Sequence, residues 1–283
     1  MAKQQIILSS IALLTLASFF WFGSTVQNKP PSTVAVHDSH PGKFKIEDFI
    51  SKAKLQLSNA RVLYLGSLEN SISRGDVHEQ THKKYQELAG FWKDSAKVFE
   101  PYAYYLSESA KLDNSEKSLT FAARMILDNL RSEGDASLRT WKSEMAITLF
   151  EQALILNPAN DSLKVGLGSC YIYGKGMVGD AEETMKGIQK LLEVVRKDSL
   201  NMQAQLVLGI GGVISMQYDK SIDRLLKVVA AEPSNIEAIS WLADAYASSG
   251  DKENAIRWYD RSKKLMNNSA FSADVDKRIR MLN

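Results

Sequence analysis

A unit of thirty-four residues recurs near the carboxyl end and leaves few folds open to this chain. Residues 202–235 read MQAQLVLGIGGVISMQYDKSIDRLLKVVAAEPSN, and residues 236–269 follow at the same length. Each unit contains two apolar patterns of helical period separated by a short turn. A repeat of this length predicts hairpins of two helices, because one hairpin alone cannot bury its apolar face and must stack on its neighbours.

Two longer units precede these, at residues 161–201 and 117–160. The unit at 161–201 carries three additional glycines, which predict an inserted loop: Gly174, Gly176 and Gly179. In the unit at 117–160 the second helix is well formed, whereas the first is irregular and Gly134-Asp135 indicates a long turn. No stretch of period-two alternation predicts a strand.

The two regular units resemble the tetratricopeptide repeat. Leu208-Gly209 stands where that family has a Leu-Gly pair on its first helix, Ser221 where it has a small residue on its second, and Pro233 where the hairpin ends. The next unit places further matching residues in the corresponding positions: Leu242-Ala243, Tyr246, Gly250-Asp251, Ala255-Ile256 and Tyr259. The resemblance implies an all-α solenoid over residues 117–270, built from units 117–160, 161–201, 202–235 and 236–269. Residues 271–283 then form a charged capping helix.

The N-terminus predicts a transmembrane helix over residues 1–26. Every residue from Ile6 to Phe22 is apolar or small and hydroxylated, and no charge occurs between Lys3 and Lys29. Such a run is long enough to cross a bilayer core of about 30 Å. Bulky aromatic residues end it where a cleavable signal peptide needs small ones, so an uncleaved signal-anchor is favoured over cleavage. Lys3 before the span places the bulk of the chain outside the cytoplasm.

Residues 27–43 contain three prolines and predict an extended linker. Residues 44–116 then show helical periodicity: one apolar pattern runs from Ile46 to Leu68, a second helix follows over 77–99, and Pro101 suits the first turn of a third. These helices are interpreted either as decayed repeats or as a separate helical cap.

Composition excludes several functions. The formal net charge of +2 comes from 35 basic and 33 acidic side chains spread along the chain, so no basic surface for nucleic acid is predicted. Cys170, the single cysteine, can form neither an internal disulfide nor a cysteine-rich metal site. No cofactor is predicted.

The resemblance also implies where a ligand would bind. In the family, ligands lie in the concave groove and touch outward positions of the first helices. In this chain those positions are Gln203, Leu206, Ile210, Val213, Ile214, Ser240, Asp244, Ala247 and Ser248. The basic and asparagine pattern that clamps a C-terminal carboxylate is missing from both units. An apolar groove of this kind favours a hydrophobic or amphipathic helical peptide, unless the N-terminal helices cover the same residues.

Two alternatives compete with protein binding. His78-Glu79-Gln80-Thr81-His82 satisfies the HExxH pattern of zinc metallopeptidases, but Lys83 and Lys84 make the stretch cationic, and the candidate third ligands, Glu87 and Glu100, have no supporting pattern. A self-associating structural protein is the other alternative. The preferred prediction is a non-enzymatic scaffold or adaptor, an assembly or chaperone-like factor of the bacterial envelope, tethered to the inner membrane with its C-terminal domain on the periplasmic side.

Overall fold

The computed structural model describes residues 44–72 and 78–282, and these form an all-α structure. The predicted transmembrane segment 1–26 and linker 27–43 lie outside the described residues. Within the described ranges no strand occurs. None of the helices in this part of the chain combines the length and the apolar content that a bilayer crossing requires.

The helices are short and follow one another closely. Their bounds are α1 (Ile46–Lys54), α2 (Asn59–Ile72), α3 (His78–Gly90), α4 (Phe99–Asp113), α5 (Glu116–Leu130), α6 (Ala136–Leu156), α7 (Asp161–Cys170), α8 (Ala181–Lys197), α9 (Met202–Ile214), α10 (Tyr218–Ala231), α11 (Ile236–Ser249), α12 (Lys252–Met266) and α13 (Ser269–Leu282).

Four hairpins stack in chain order: α5 with α6, α7 with α8, α9 with α10, and α11 with α12, while α13 packs on α12. The first helices of neighbouring hairpins also contact each other, from α5 through α7 and α9 to α11. The stack is therefore continuous along its first helices, the arrangement expected of a repeat solenoid.

An asparagine begins each first helix after α5 and also begins α13. The side chain of Asn160 accepts hydrogen bonds from the backbone N–H groups of the first turn of α7. Asn201, Asn235 and Asn268 do the same for α9, α11 and α13. Each asparagine satisfies a helix N–H group that has no partner within the helix, so it fixes where the hairpin starts.

Two glycines set how closely paired helices approach. A β-carbon built on Gly209 in α9 would lie 2.6 Å from Cγ of Leu225 in α10. The same construction on Gly168 in α7 gives 2.6 Å to Cγ of Leu191 in α8. Real β-carbons do not approach other carbons so closely, so each hairpin requires glycine at this place for its present spacing.

The glycine-rich segment after α7 is helical, and the predicted inserted loop is wrong. The helix continues through a π-helical turn, Tyr171–Lys175, and a 3₁₀ turn, Gly176–Val178, before Gly179 reverses the chain with φ 90°. Gly174 and Gly176 are buried against Ser143 and Thr184. These two glycines serve close packing, whereas only Gly179 uses the left-handed conformation that glycine adopts readily.

Two further predictions about helices need correction. The apolar pattern from Ile46 to Leu68 is divided between α1 and α2, because Ser58 and Asn59 favour a helix start over a helix interior. The first helix of the unit 117–160 is regular: α5 has fifteen residues and begins at Ser115, whose hydroxyl accepts from the Ser118 N–H at 3.2 Å.

The apolar residues form three buried clusters. The main cluster runs from Ala103 in α4 to Ala245 in α11 and joins all four hairpins. A second cluster, which includes Leu65 and Trp92, holds α1 to α4 together. A third cluster joins α13 to α11 and α12 through Val275. The N-terminal helices and the capping helix therefore each contribute a core of their own at the ends of the stack.

Candidate protein-binding surface

The first helices of the hairpins form one row, and the predicted groove residues lie on it. Leu206 and Ile210 in α9 are only 3% and 0% exposed, so they belong to the core and cannot contact a ligand. Val213 and Ile214 are half-buried and pack on the same core, and of the predicted groove residues in α9 only Gln203 is exposed. The predicted apolar groove around α9 is therefore closed.

The burial of α9 follows from its composition. None of its thirteen residues is charged, and an apolar helix of this kind is stable only when it is covered on all sides. The π-helical turn after α7 provides part of that cover: a β-carbon at Gly211 would lie 2.9 Å from Cδ1 of Ile172. The absence of any charge in α9 is consistent with this burial but does not show which neighbouring helices cover it.

The groove residues predicted in α11 are largely engaged in contacts with α12 and the capping helix α13. Asp244 accepts hydrogen bonds from Nη1 of Arg278 in α13 at 3.0 and 3.2 Å, and from the hydroxyl of Tyr259 at 2.5 Å. Ser240 lies half-buried beside the same ion pair, at a recess of about 290 Å³. Ala247 packs on the third cluster, whereas Ser248 is exposed.

A polar cluster ties the first hairpin to the last. Nη1 of Arg131, at the end of α5, lies 3.2 Å from Oε2 of Glu237 at the start of α11. The hydroxyl of Tyr173 donates to the other carboxylate oxygen of Glu237 at 2.6 Å, and the guanidinium of Arg131 lies 4.9 Å from the centre of the Tyr173 ring. Burial, together with the Glu237 carboxylate, raises the pKa of Tyr173, so its hydroxyl stays a donor.

An open depression remains on the first helix of the first hairpin. It has a volume of about 840 Å³ and is lined by Glu116, Lys117, Thr120, Phe121, Arg124, Met125, Asp128 and Asn160. Phe121 is 58% exposed, which is unusual for so large an apolar side chain. Lys117, Phe121, Arg124 and Asp128 recur at intervals of three and four residues and therefore form one stripe along α5.

The walls of this depression are held in place by hydrogen bonds. The Glu116 carboxylate accepts from the amides of Asn157 and Asn160, at 2.8 to 3.2 Å. Nη2 of Arg124 donates to the hydroxyl of Ser162 at 2.7 Å. Among the described residues no carboxylate lies close enough to Lys117 or Arg124 to form an ion pair with it. The depression thus combines a fixed rim, an exposed ring and two cations that have no anionic partner in the described ranges.

The sequence does not reveal this surface as long as the first helix of the unit 117–160 is interpreted as irregular. The positions of α5 that correspond to the buried ones of α9 carry Thr120 and Arg124 in place of Leu206 and Ile210. Polar side chains at those places keep the helix face open to solvent. Aligning each helix by the residue that caps it, Ser115 or Asn201, would have revealed the difference.

The segment with the zinc-peptidase pattern shows no metal site in its described part. His82 contacts the amide of Gln86 at 3.2 Å, and Glu79 is exposed. Both candidates for a third ligand are held by lysines: Glu87 by Lys84 at 2.9 Å, and Glu100 by Lys142 at 3.0 Å. No group of three His, Cys, Asp or Glu residues that could hold a metal ion occurs in the described ranges.

This chain is similar in fold to known tetratricopeptide repeat structures. No protein-family model and no curated protein matches the chain. Among solved structures, a thermophilic TPR protein of Thermus thermophilus matches with a TM-score of 0.51 at 14% identity, over 71% of this chain and 98% of that one.

Two weaker matches are the MamA protein of Desulfovibrio magneticus RS-1 and YrrB, described as a TPR protein with an unusual peptide-binding site. MamA has a TM-score of 0.44 at 19% identity, over 66% of this chain and 93% of that one. YrrB has a TM-score of 0.44 at 15% identity, over 69% of this chain and 91% of that one.

Proposed function

Because the chain has the fold of the tetratricopeptide repeat proteins, we propose that it is a scaffold that binds other proteins beside a membrane. The observation that carries the binding role is the open depression on α5, where Phe121 is 58% exposed although the corresponding faces of α9 and α11 are covered. A large exposed apolar side chain at the centre of a polar rim is typical of a protein-protein contact.

The side chains that line the depression suggest which chemical character a bound segment would have. Lys117 and Arg124 offer two cations on one face of α5 with Phe121 between them along the helix, and the one exposed carboxylate of this stripe, Asp128, lies a turn beyond Arg124. An acidic segment with an apolar or aromatic side chain would pair its carboxylates with these cations and place that side chain against the ring. The partner expected here is therefore more acidic than the hydrophobic or amphipathic helical peptide that the sequence of α9 favours.

The membrane tether of this proposal comes from the N-terminal sequence. The uncharged run from Ile6 to Phe22 supports a single span, and Lys3 supports an N-terminus on the cytoplasmic side. The repeats would then face the periplasm of a bacterial cell, and the bound proteins would be envelope components in need of assembly or holding. No catalytic role is part of the proposal.

Crosslinking of the full-length chain in mild detergent tests the binding site. Phe121→Ala and Arg124→Glu should each reduce recovery of a crosslinked partner more than about tenfold, because central aromatic and arginine residues carry most of the energy of an interface. Met281→Ser, which changes an exposed residue on α13, is the matched control and should leave recovery unchanged.

Equal recovery from the Phe121→Ala chain and the unaltered chain would refute a partner site on α5. If the crosslinked species is a second copy of the chain, the protein is a self-associating structural protein. Sedimentation of the detergent-solubilised chain separates that outcome from binding of a different protein.

A further inference from the structure

A second exposed apolar surface lies in the N-terminal helices, on the turn between α1 and α2. We call residues 55–64 the α1–α2 tip. All of them except the half-buried Leu57 are exposed, with Leu55, Leu63 and Tyr64 at 86%, 76% and 55%. The first turn and a half of α2 is therefore largely open to solvent, and it exposes more apolar surface than a soluble protein usually does.

The tip is firmly attached to the rest of the structure. Leu65 and Leu68, which directly follow it in α2, are buried in the second cluster. The Tyr64 ring lies 5.9 Å from the ring of Phe91, centre to centre. The exposed leucines therefore lie at a helix end that is fixed to the core, and a binding surface needs such a rigid support.

The stretch that contains the tip carries only cations. From Phe49 to Leu68 the sequence contains three cations and no Asp or Glu, although Asp48 and Glu69 stand directly on either side of it. Lys52 and Arg61 are exposed, whereas Lys54 is paired with Glu69 at 2.6 Å. Exposed leucines, one tyrosine and unpaired lysine or arginine match the interface of a bilayer that contains anionic lipid, where apolar side chains enter the acyl boundary and cations contact headgroups.

We propose that the α1–α2 tip inserts Leu55, Leu63 and Tyr64 into the headgroup region of an anionic lipid bilayer. This inference rests on the membrane tether of the proposed function, because one weak insertion site binds well only when a second attachment keeps it near the surface. The linker 27–43 has seventeen residues and can span at most about 60 Å, so the tether would hold the start of α1 within that distance of the bilayer.

A fluorescent label on the tip tests the insertion. Cys170 is buried and burial raises the pKa of its thiol, so a cysteine-directed dye reacts with an introduced cysteine instead. The full chain with Leu63→Cys is labelled with a polarity-sensitive dye and reconstituted into phosphatidylglycerol vesicles or phosphatidylcholine vesicles. Met281→Cys, at an exposed position on α13, is the matched control.

In phosphatidylglycerol vesicles we expect the label at 63 to shift to shorter wavelength and to be quenched by brominated acyl chains, and the label at 281 to do neither. Adding Lys52→Glu and Arg61→Glu should lower the ratio of inserted to free tip by about thirtyfold or more, the effect of removing two headgroup contacts. A blue shift without quenching by bromine would mean that protein covers the tip, and would overturn the inference.

Flotation of the same vesicles separates this inference from the tether. If the chain floats and the label at 63 stays aqueous, the insertion is refuted and the tether stands. If the chain does not float but the label responds to added vesicles, the tether is refuted and the insertion stands. Absence of both signals refutes both.

Discussion

Lys142 is buried within α6 and is held by a complete set of partners. Its ammonium lies 2.6 Å from Glu133, 3.0 Å from Glu100 and 2.7 Å from Oδ1 of Asn129, and 5.1 Å from the centre of the Phe99 ring. A buried charge is tolerated only with such compensation. The cluster also joins α4 and α5 to α6, so it helps to fix the first hairpin against the N-terminal helices.

Removing this lysine should destabilise the protein strongly. Lys142→Ala leaves two carboxylates without their cation, and breaking a buried pair from one side costs about 3–5 kcal/mol of unfolding free energy. Lys186→Ala, which removes pairs that are open to solvent with Glu182 and Glu183, should have a much smaller effect. Urea unfolding followed by circular dichroism measures both variants, and similar losses would contradict the role given to Lys142.

The same cluster predicts a pH dependence. Burial by itself raises the pKa of Glu133, but the hydrogen bonds from Lys142 and from the Asp135 N–H outweigh it and leave the pKa lowered. A lowered folded-state pKa means that this stabilisation is complete above the unfolded value of about 4.3 and is lost as the pH falls through the folded one. The Glu133→Gln protein should therefore have a lower unfolding free energy at pH 7. Below about pH 4 its unfolding free energy should fall less steeply with pH than that of the unaltered protein. An equally steep fall in the two proteins would refute this.

At the scale of the helices, some glycines are required for close packing and others are not. A β-carbon built on Gly174 would lie 2.0 Å from Oγ of Ser143, which donates to the Cys170 carbonyl and has no room to move. Gly174→Ala should therefore lower the unfolding free energy by about 2 kcal/mol through overpacking. Gly66 lies in α2 with nothing within 4 Å, so Gly66→Ala should raise stability by about 0.5–1 kcal/mol. Thermal unfolding measures both variants. If both substitutions stabilise the protein or both destabilise it, the packing role given to Gly174 or the open position given to Gly66 is wrong.

The asparagine caps permit a second test at this scale. Asn235→Ala removes the acceptor for the Ala238 N–H, which is 2.9 Å away, and should cost about 1 kcal/mol. Asn235→Asp keeps the acceptor oxygen but loses the Nδ2–H that donates to Glu232 at 2.7 Å and places two carboxylates side by side, so it should restore only part of this loss. Hydrogen exchange at the first turn of α11 measures the difference. Indistinguishable protection in the Ala and Asp variants would show that the cap has no such effect.

Most helices were predictable, since their apolar periods are local. The glycines after Tyr171 were harder, because glycine serves an open turn and a tight helix contact equally, and only the presence of Ser143 and Thr184 decides between them. Burial of Leu206 and Ile210 depends on neighbouring hairpins, which the period of one helix does not encode. The exposure of Phe121 has the same origin, since only the assembled stack shows that α5 is left open.

Across the whole molecule, the contact between Arg131 and Glu237 departs from the usual solenoid. These residues are 106 positions apart and belong to the first and fourth hairpins, whereas repeats usually touch only their neighbours. A double-mutant cycle with Arg131→Ala and Glu237→Ala should give a coupling energy of about 1 kcal/mol, since both side chains are partly screened from solvent. The exposed pair of Arg257 and Glu253 is the control and should give at most about 0.5 kcal/mol. A coupling no larger than the control would mean that the link does not hold the ends together.

That link also determines how the stack responds to force. A solenoid whose repeats touch only their neighbours lengthens under load as a spring does, by small changes at every hairpin. With Arg131 and Glu237 joined, the first and fourth hairpins close a loop, and a load applied across the four hairpins meets this contact before they begin to separate. The protein would therefore be stiff under weak pulling and would become extensible only after the ion pair breaks.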